Sequence, residues 1–259
     1  MDMGLNGKVA VVTGSTEGIG LATVRAFQKE GCQVALCGRS EDKLQRALQS
    51  LEPNAFGRCL DMTREKSVYA FAAEVEKNFG HIDIWVNNVG GTIQRKAEWY
   101  TEDEIDRTYA LCFKSVVFGS QAAALYLKKT KGVIVNVASL AARCASAGRA
   151  SLYGPLKSAV VNYTNTFAAE TAAWGMRVVC VLPGFTLTPL AQRTILPGEL
   201  ERNVNESLLR RPGRPEDIAD PIVFLASSRA AYITAAQLEI SGGRSRVLNP
   251  AYSYEREND

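Results

Sequence analysis

Tyr153 and Lys157 stand four residues apart in Tyr153-Gly154-Pro155-Leu156-Lys157. On a helix that spacing brings a phenol and an ammonium, both titratable, to one face. The pattern is common, and alone it also describes an ordinary surface pair. Upstream lies Thr13-Gly14-Ser15-Thr16-Glu17-Gly18-Ile19-Gly20. A glycine-rich turn between a buried strand and a helix lets the backbone approach a pyrophosphate, and the helix N-terminus offers it free N–H groups. The spacing, Gly-x-x-x-Gly-x-Gly, differs from Gly-x-Gly-x-x-Gly, and glycines at such turns also serve geometry alone. Asn87-Asn88-Val89-Gly90, Ser139 and Pro183-Gly184-Phe185-Thr186-Leu187-Thr188 add polar groups further on.

The composition narrows the chemistry. There is 1 histidine, His81, placed between a helical segment and a strand and expected on the surface. Histidine-based nucleophilic catalysis and multi-histidine metal sites therefore have no support. The 6 cysteines (Cys32, Cys37, Cys59, Cys112, Cys144 and Cys180) form no Cys-x-x-Cys pair and no metal-ligand spacing. They read as reduced thiols of a cytoplasmic protein, and no metal is expected. Lys and Arg number 30 against 27 Asp and Glu, a net charge of +3, which makes no case for a nucleic-acid or membrane-surface partner. The apolar run 133–142 is broken by Asn136 and Ser139 and falls short of the ~18–20 residues of a membrane span. Residues 1–8 hold no signal-peptide core.

These groups must be positioned by an alternation of strands and helices. Short apolar runs at 9–12, 34–37, 55–60, 82–86, 133–137, 178–182 and 237–240 predict strands, with helical patterns between them. Ser40 is a candidate N-cap, Gly31 a helix-ending glycine, and Thr101 with Glu104 a capping box. Ile105, Tyr109, Cys112, Val116, Gly119 and Ala123 are expected to form the buried stripe of one long helix. The fold class is α/β, a doubly wound parallel sheet of about seven strands with helices on both faces. Residues 1–259 read as one domain, with a core over about 5–243 and a C-terminal extension, 244–259. The least regular stretches are 90–100, 183–209 and 244–259. In such sheets ligands bind beyond the C-terminal ends of the strands, where every motif above falls.

In this order and spacing, over about residues 5–243, the motifs resemble the short-chain dehydrogenase/reductase family. The resemblance implies a single Rossmann-type domain that moves hydride between a nicotinamide cofactor and a carbonyl or alcohol. It implies Tyr153 as general acid/base, Lys157 favouring the phenolate and holding the nicotinamide ribose, and Ser139 fixing the substrate oxygen. A free phenol ionises too weakly at neutral pH, and a nearby cation favours its charged form. For the cofactor it implies Gly14, Thr16, Gly18, Ile19 and Gly20 around the pyrophosphate, and Asp61 with Met62 at the adenine. Asn88 would lie at the adenine ribose and brace the central strands. Pro183, Gly184, Thr186 and Thr188 would surround the carboxamide. After the second strand stand Arg39 and Ser40, where an acid would suit NAD(H). Arg39 can take a 2′-phosphate and Ser40 can hydrogen-bond it, which favours NADP(H) over NAD(H). Glu17, just before a loop glycine, opposes that choice. A homotetramer or homodimer through the long helices is also implied.

Two positions depart from the family. Cys112 stands where an asparagine usually supports a proton-relaying water, and a thiol is a poor replacement for an amide. Pro155 requires the catalytic helix to begin near residues 152–154, with Tyr153 at its very start, or to bend there. Around the substrate, Leu140, Phe185, Leu190, Ile195 and Leu196 suggest an apolar ketone or alcohol. Arg95, Arg143 and Arg149 could meet an acidic group instead. Two other readings stay open: a reductase of 3-oxoacyl chains on acyl carrier protein, using Lys128, Lys129 and Lys131, and a cofactor-binding regulatory protein of little activity. Tyr252 and Tyr254 in the extension could dock on a neighbouring subunit.

Overall fold

The computed structural model describes residues 2–53, 55–145, 148, 150–244 and 246–256. Seven strands form one sheet: β1 (Val9–Val12), β2 (Gln33–Gly38), β3 (Ala55–Cys59), β4 (Ile84–Asn87), β5 (Val133–Val137), β6 (Arg177–Pro183) and β7 (Gln237–Ile240). All pair in parallel, in the order β3-β2-β1-β4-β5-β6-β7. The doubly wound sheet expected from the sequence is therefore present. The order reverses between β1 and β4, which opens a crevice at their C-terminal ends.

The helices are α1 (Gly18–Lys29), α2 (Glu41–Gln49), α3 (Glu65–Phe79), α4 (Glu102–Tyr109), α5 (Ser115–Thr130), α6 (Tyr153–Thr171), α7 (Pro189–Thr194), α8 (Glu199–Asn205), α9 (Pro215–Ala226) and α10 (Tyr252–Arg256). Strand side chains alternate between two cores. Ala10, Val12, Val34, Leu36, Val135 and Val181 meet Phe27 of α1 and Ile218 and Ile222 of α9. Val9, Val11, Ala35, Trp85 and Ile134 meet Phe71 and Val75 of α3, Leu127 of α5 and Phe167 of α6. Covered faces explain why β1, β4 and β5 are apolar almost throughout. The capping signals act as read. Ser40 accepts the Lys43 N–H at 3.4 Å, Thr101 and Glu104 cap each other, and Gly31 is left-handed.

The buried stripe of the long helix needs correction. Ile105 and Tyr109 are exposed, while Glu104 and Thr108 are buried beside Cys112 and Val116. A π-helical turn, 110–114, joins α4 to α5. Its wider winding holds the buried positions at a spacing of four, 104, 108, 112 and 116, where a regular helix would rotate away from the sheet. The helical run 102–130 reaches a mean hydropathy of 1.4 in its most apolar window, long and apolar enough to cross a membrane; half of that window is buried inside the protein. The short helices α7 and α8 occupy part of the stretch read as irregular.

Beside the second core, on the face covered by α5 and α6, runs a buried polar ladder. The Trp85 indole N–H donates to Asn87 Oδ1 at 2.8 Å, and Asn87 Nδ2 donates to Ser120 Oγ (3.0 Å) and Asn136 Oδ1 (2.9 Å). Asn136 Nδ2 donates to Thr164 Oγ1 at 2.9 Å. The chain of bonds ties β4, β5, α5 and α6 together inside a low-dielectric interior. Asn136→Ala should lower unfolding free energy by about 2–4 kcal/mol in urea titration, since it orphans buried groups on both sides. A loss under about 1 kcal/mol would show that the ladder contributes little.

Candidate active site

The glycine-rich turn is shaped by its backbone. Gly14 and Gly18 both have φ of 60°. A Cβ on Gly14 would come within 2.9 Å of Val89, and one on Gly20 within 2.6 Å of Asn88 Nδ2. Glu17 precedes α1 without capping it through its side chain, which leaves the first N–H groups of the helix for a ligand. Asn88 holds the turn from beneath, donating Nδ2 to the carbonyls of Thr13 (3.0 Å) and Gly14 (2.9 Å). Thr13 Oγ1 accepts the Asn88 N–H at 3.0 Å. A turn with no room for a Cβ at Gly14 or Gly20, set at the N-terminus of α1, suits a pyrophosphate.

The tyrosine–lysine pair opens α6. Tyr153 is its first residue and Pro155 its third, inside the turn where proline loses no helical hydrogen bond. Lys157 is 2% exposed, and its ammonium donates to the Val137 carbonyl at 2.8 Å. The same Nζ lies 5.7 Å from the centre of the Tyr153 ring. Ser139 Oγ accepts the Ala141 N–H at 3.2 Å, so its own hydrogen remains to be donated. Cys112 is buried and donates its thiol to the Gly91 carbonyl at 3.1 Å. It pins the π turn to the loop after β4 and does not border the cavity.

One cavity of about 1200 Å³ gathers these groups. Gly14, Thr16, Gly18, Ile19, Gly20 and Asn88 border it from the central strands, and Arg39, Ser40, Asp61 and Met62 from one side. Ser139, Tyr153 and Lys157 border it from the other, with Pro183, Gly184, Thr186 and Thr188 above. Asp61 Oδ1 accepts both the N–H and hydroxyl of Thr63, at 2.9 and 2.8 Å. Thr188 Oγ1 accepts the Ala191 N–H at 3.1 Å and so caps α7. The residues that line the cavity fit a dinucleotide.

Cations that no sequence motif marks also stand at the cavity and its loop. Lys43 also borders the cavity, one turn into α2, and its Nζ lies 2.9 Å from Glu17 Oε2. Arg193 of α7 lies 2.9 Å from Glu17 Oε1. Burial would raise the Glu17 carboxyl, but the two cations outweigh it and hold it below the usual range. Glu17 is thus an engaged anion rather than a free repulsive one. The arginines expected at the substrate need correction. Arg95 lies over the Tyr100 ring, Arg143 donates to Gln237, and neither borders the cavity; Arg149 lies outside the described residues. Arg202 and Arg244 border it instead. Leu140, Phe185 and Leu190 line it as expected, joined by Leu111, whereas Ile195 and Leu196 do not. His81 sits at the N-terminal end of β4, away from the cavity, 3.0 Å from Asp83. Among the described residues no group of His, Cys, Asp or Glu could hold a metal. All 6 cysteines are free, and burial pushes the Cys32 and Cys37 thiols up to about 12.

Sheet order, phosphate cradle and a buried lysine beside a tyrosine define a nicotinamide-dependent oxidoreductase. Comparison with known proteins agrees. A family profile described as enoyl-(acyl carrier protein) reductase matches residues 14–245. The chain is 33% identical to 3-oxoacyl-[acyl-carrier-protein] reductase of Vibrio cholerae, over 93% of its own length and 98% of that protein. It is 34% identical to 3alpha-hydroxysteroid dehydrogenase of Mediterraneibacter gnavus, with the same coverage of each. The solved structure of 7 alpha-hydroxysteroid dehydrogenase complexed with NADH and 7-oxo glycochenodeoxycholic acid superposes with a TM-score of 0.89, at 28% identity and 96% and 98% coverage. The chain belongs to the short-chain dehydrogenase/reductase family and is an NAD(P)(H)-dependent oxidoreductase.

Gly90 gives a direct check on the lysine. A Cβ there would stand 2.8 Å from Lys157 Nζ. Gly90→Ala should weaken NADPH binding about tenfold in a fluorescence titration, because a displaced ammonium loses its fixed position. Unchanged affinity would show that the cofactor does not depend on where Nζ sits.

Proposed function

We propose that the protein interconverts a ketone and a secondary alcohol of apolar body, using NADP(H). The observation that carries this reading is the buried Lys157 ammonium beside the Tyr153 ring, in the cavity that also holds the glycine cradle. The bound nicotinamide supplies hydride to the carbonyl carbon or takes it from the alcohol. Tyr153 gives its phenolic proton to the carbonyl oxygen in reduction and takes the alcohol proton in oxidation. Lys157, held by the Val137 carbonyl, keeps its ammonium 5.7 Å from the centre of the Tyr153 ring. Ser139 donates its hydroxyl hydrogen to the substrate oxygen and keeps it within reach of Tyr153. Gly14, Thr16, Gly18, Ile19 and Gly20 receive the phosphates, Asp61 and Met62 the adenine, and Asn88 the adjoining ribose. Pro183, Gly184, Thr186 and Thr188 enclose the carboxamide end.

NADP(H) is favoured by two cations at the cavity rim. Arg39 is exposed there, and Lys43 follows one turn later. Glu17 is engaged by Lys43 and Arg193, so its charge is offset where a 2′-phosphate would lie. On the substrate side Leu111, Leu140, Phe185 and Leu190 present an apolar wall. A second reading, 3-oxoacyl chains on acyl carrier protein, draws on the name of the Vibrio cholerae relative. Of the lysines it would use, Lys129 already lies 3.6 Å from Glu76 and Lys128 lies 6.0 Å from the Trp174 ring centre. A homodimer or homotetramer would cover Ile105 and Tyr109, the apolar residues that α4 leaves exposed.

Tyr153→Phe should reduce turnover by about 100-fold or more while NADPH affinity stays within about twofold. The assay is NADPH oxidation with a panel holding acetoacetyl-coenzyme A, a 7-oxo steroid, 4-oxocyclohexanecarboxylate and simple aryl ketones. Surviving turnover would overturn the assignment of Tyr153. The wild-type protein should bind NADPH at least about tenfold more tightly than NADH, and Arg39→Asp should reverse the order. Equal affinity for the two would count against the cofactor choice.

A further inference from the structure

Beyond β7 the extension folds back on its own chain. Arg244 Nε donates to Glu206 Oε2 at 2.9 Å, directly after α8. The Tyr254 hydroxyl of α10 donates to the Leu208 carbonyl at 2.7 Å. Between them Arg210 reaches both ways. One guanidinium nitrogen donates to the Asn205 carbonyl, at the end of α8, at 2.6 Å. The other donates to the Pro250 carbonyl at 3.3 Å, and the guanidinium lies 4.7 Å from the centre of the Tyr254 ring. Arg210 itself has φ of 49°, a left-handed backbone that residues other than glycine rarely adopt. Such a conformation persists where its surroundings fix it, and here those surroundings are the end of α8 and the extension.

Glu199, Arg202 and Asn203 of α8, together with Glu206 and Arg244, border the same cavity as Tyr153. At its other end α7 is held to the phosphate loop through Arg193 and Glu17. The helix pair that roofs the cavity is therefore held at both ends, and beyond α8 the extension adds to the bonds that Ser207 Oγ and the Leu209 N–H donate to the Gly242 carbonyl. We infer that the C-terminal extension is a brace that positions α8 as a wall of the substrate end of the cavity, with Arg210 and Tyr254 as positioning residues. Neither residue borders the cavity, so their influence passes through the 205–210 backbone. The inference rests on the proposed reading only in placing the substrate beside α8.

The test uses the full chain and two variants, Tyr254→Ala and Tyr254→Phe. Hydrogen exchange needs no substrate. In Tyr254→Ala the amides of 199–210 should exchange about tenfold faster, while those of 14–20 and 153–160 stay as in the wild type. Tyr254→Phe keeps the ring under the guanidinium and should restore part of the protection. For whichever ketone of the panel is reduced, Tyr254→Ala should raise KM about tenfold with kcat and NADPH affinity within about twofold. Unchanged exchange in 199–210 would overturn the brace. Faster exchange with unchanged KM would overturn its role in positioning substrate. A panel in which no ketone is reduced would count against the proposed function and leave the exchange result to decide on the brace. Removal of residues 251–259 should reproduce Tyr254→Ala, and a truncated chain that behaves as wild type would also overturn the inference.

Discussion

A buried ammonium governs how this molecule is put together. Charge is costly to bury unless it is hydrogen-bonded or paired. Lys157 meets that demand with the Val137 carbonyl, and among the described residues it forms no ion pair. That single contact requires α6 to cross the C-terminal end of β5 at one height and one rotation. It also requires the β4 loop to pass without a side chain, at Gly90. The position of Tyr153, one turn earlier, then follows from helix geometry.

The sheet supplies the rigidity behind that contact. Asn87 and Asn136 are register partners on β4 and β5, and their amides bond to each other and on to α5 and α6. Four elements that a hydrophobic core alone would allow to slide are keyed by directional bonds. On the other side of the strand-order switch, Asn88 performs a similar task for the phosphate loop. The two ends of the cofactor cavity are thus fixed by adjacent residues of one strand end, Asn87 and Asn88, facing opposite layers.

The sequence made the sheet and the motif-bearing turns legible for a physical reason. Residues 9–12 and 133–137 are strands buried on both faces, so their composition carries the signal directly. Gly14 and Ser139 then follow at strand ends, where local order in the chain equals order in space. What it left unread depends on contacts distant in sequence. Glu17 looked like an obstacle to phosphate because its partners, Lys43 and Arg193, are 26 and 176 residues away. A regular helical period places Ile105 and Tyr109 in the core because it hides the π turn at 110–114. Arg95 and Arg143 were nearer to the motifs in sequence than Arg202 and Arg244, yet only the latter border the cavity. Helices α7 and α8, with 6 and 7 residues, are too short for periodicity to register.

Glu17 has a further consequence. One carboxylate is shared between a cation at the adenine side and a cation on the roof of the cavity. On the proposed reading, selectivity among nicotinamides and the resting position of the roof draw on a common charge. A chain that exchanged Lys43 to accept another cofactor would leave Arg193 in sole possession of Glu17, and would change how firmly the roof sits. Because these pairs are partly exposed, added salt screens both together. On that reading ionic strength acts as one control over two properties that are usually adjusted separately.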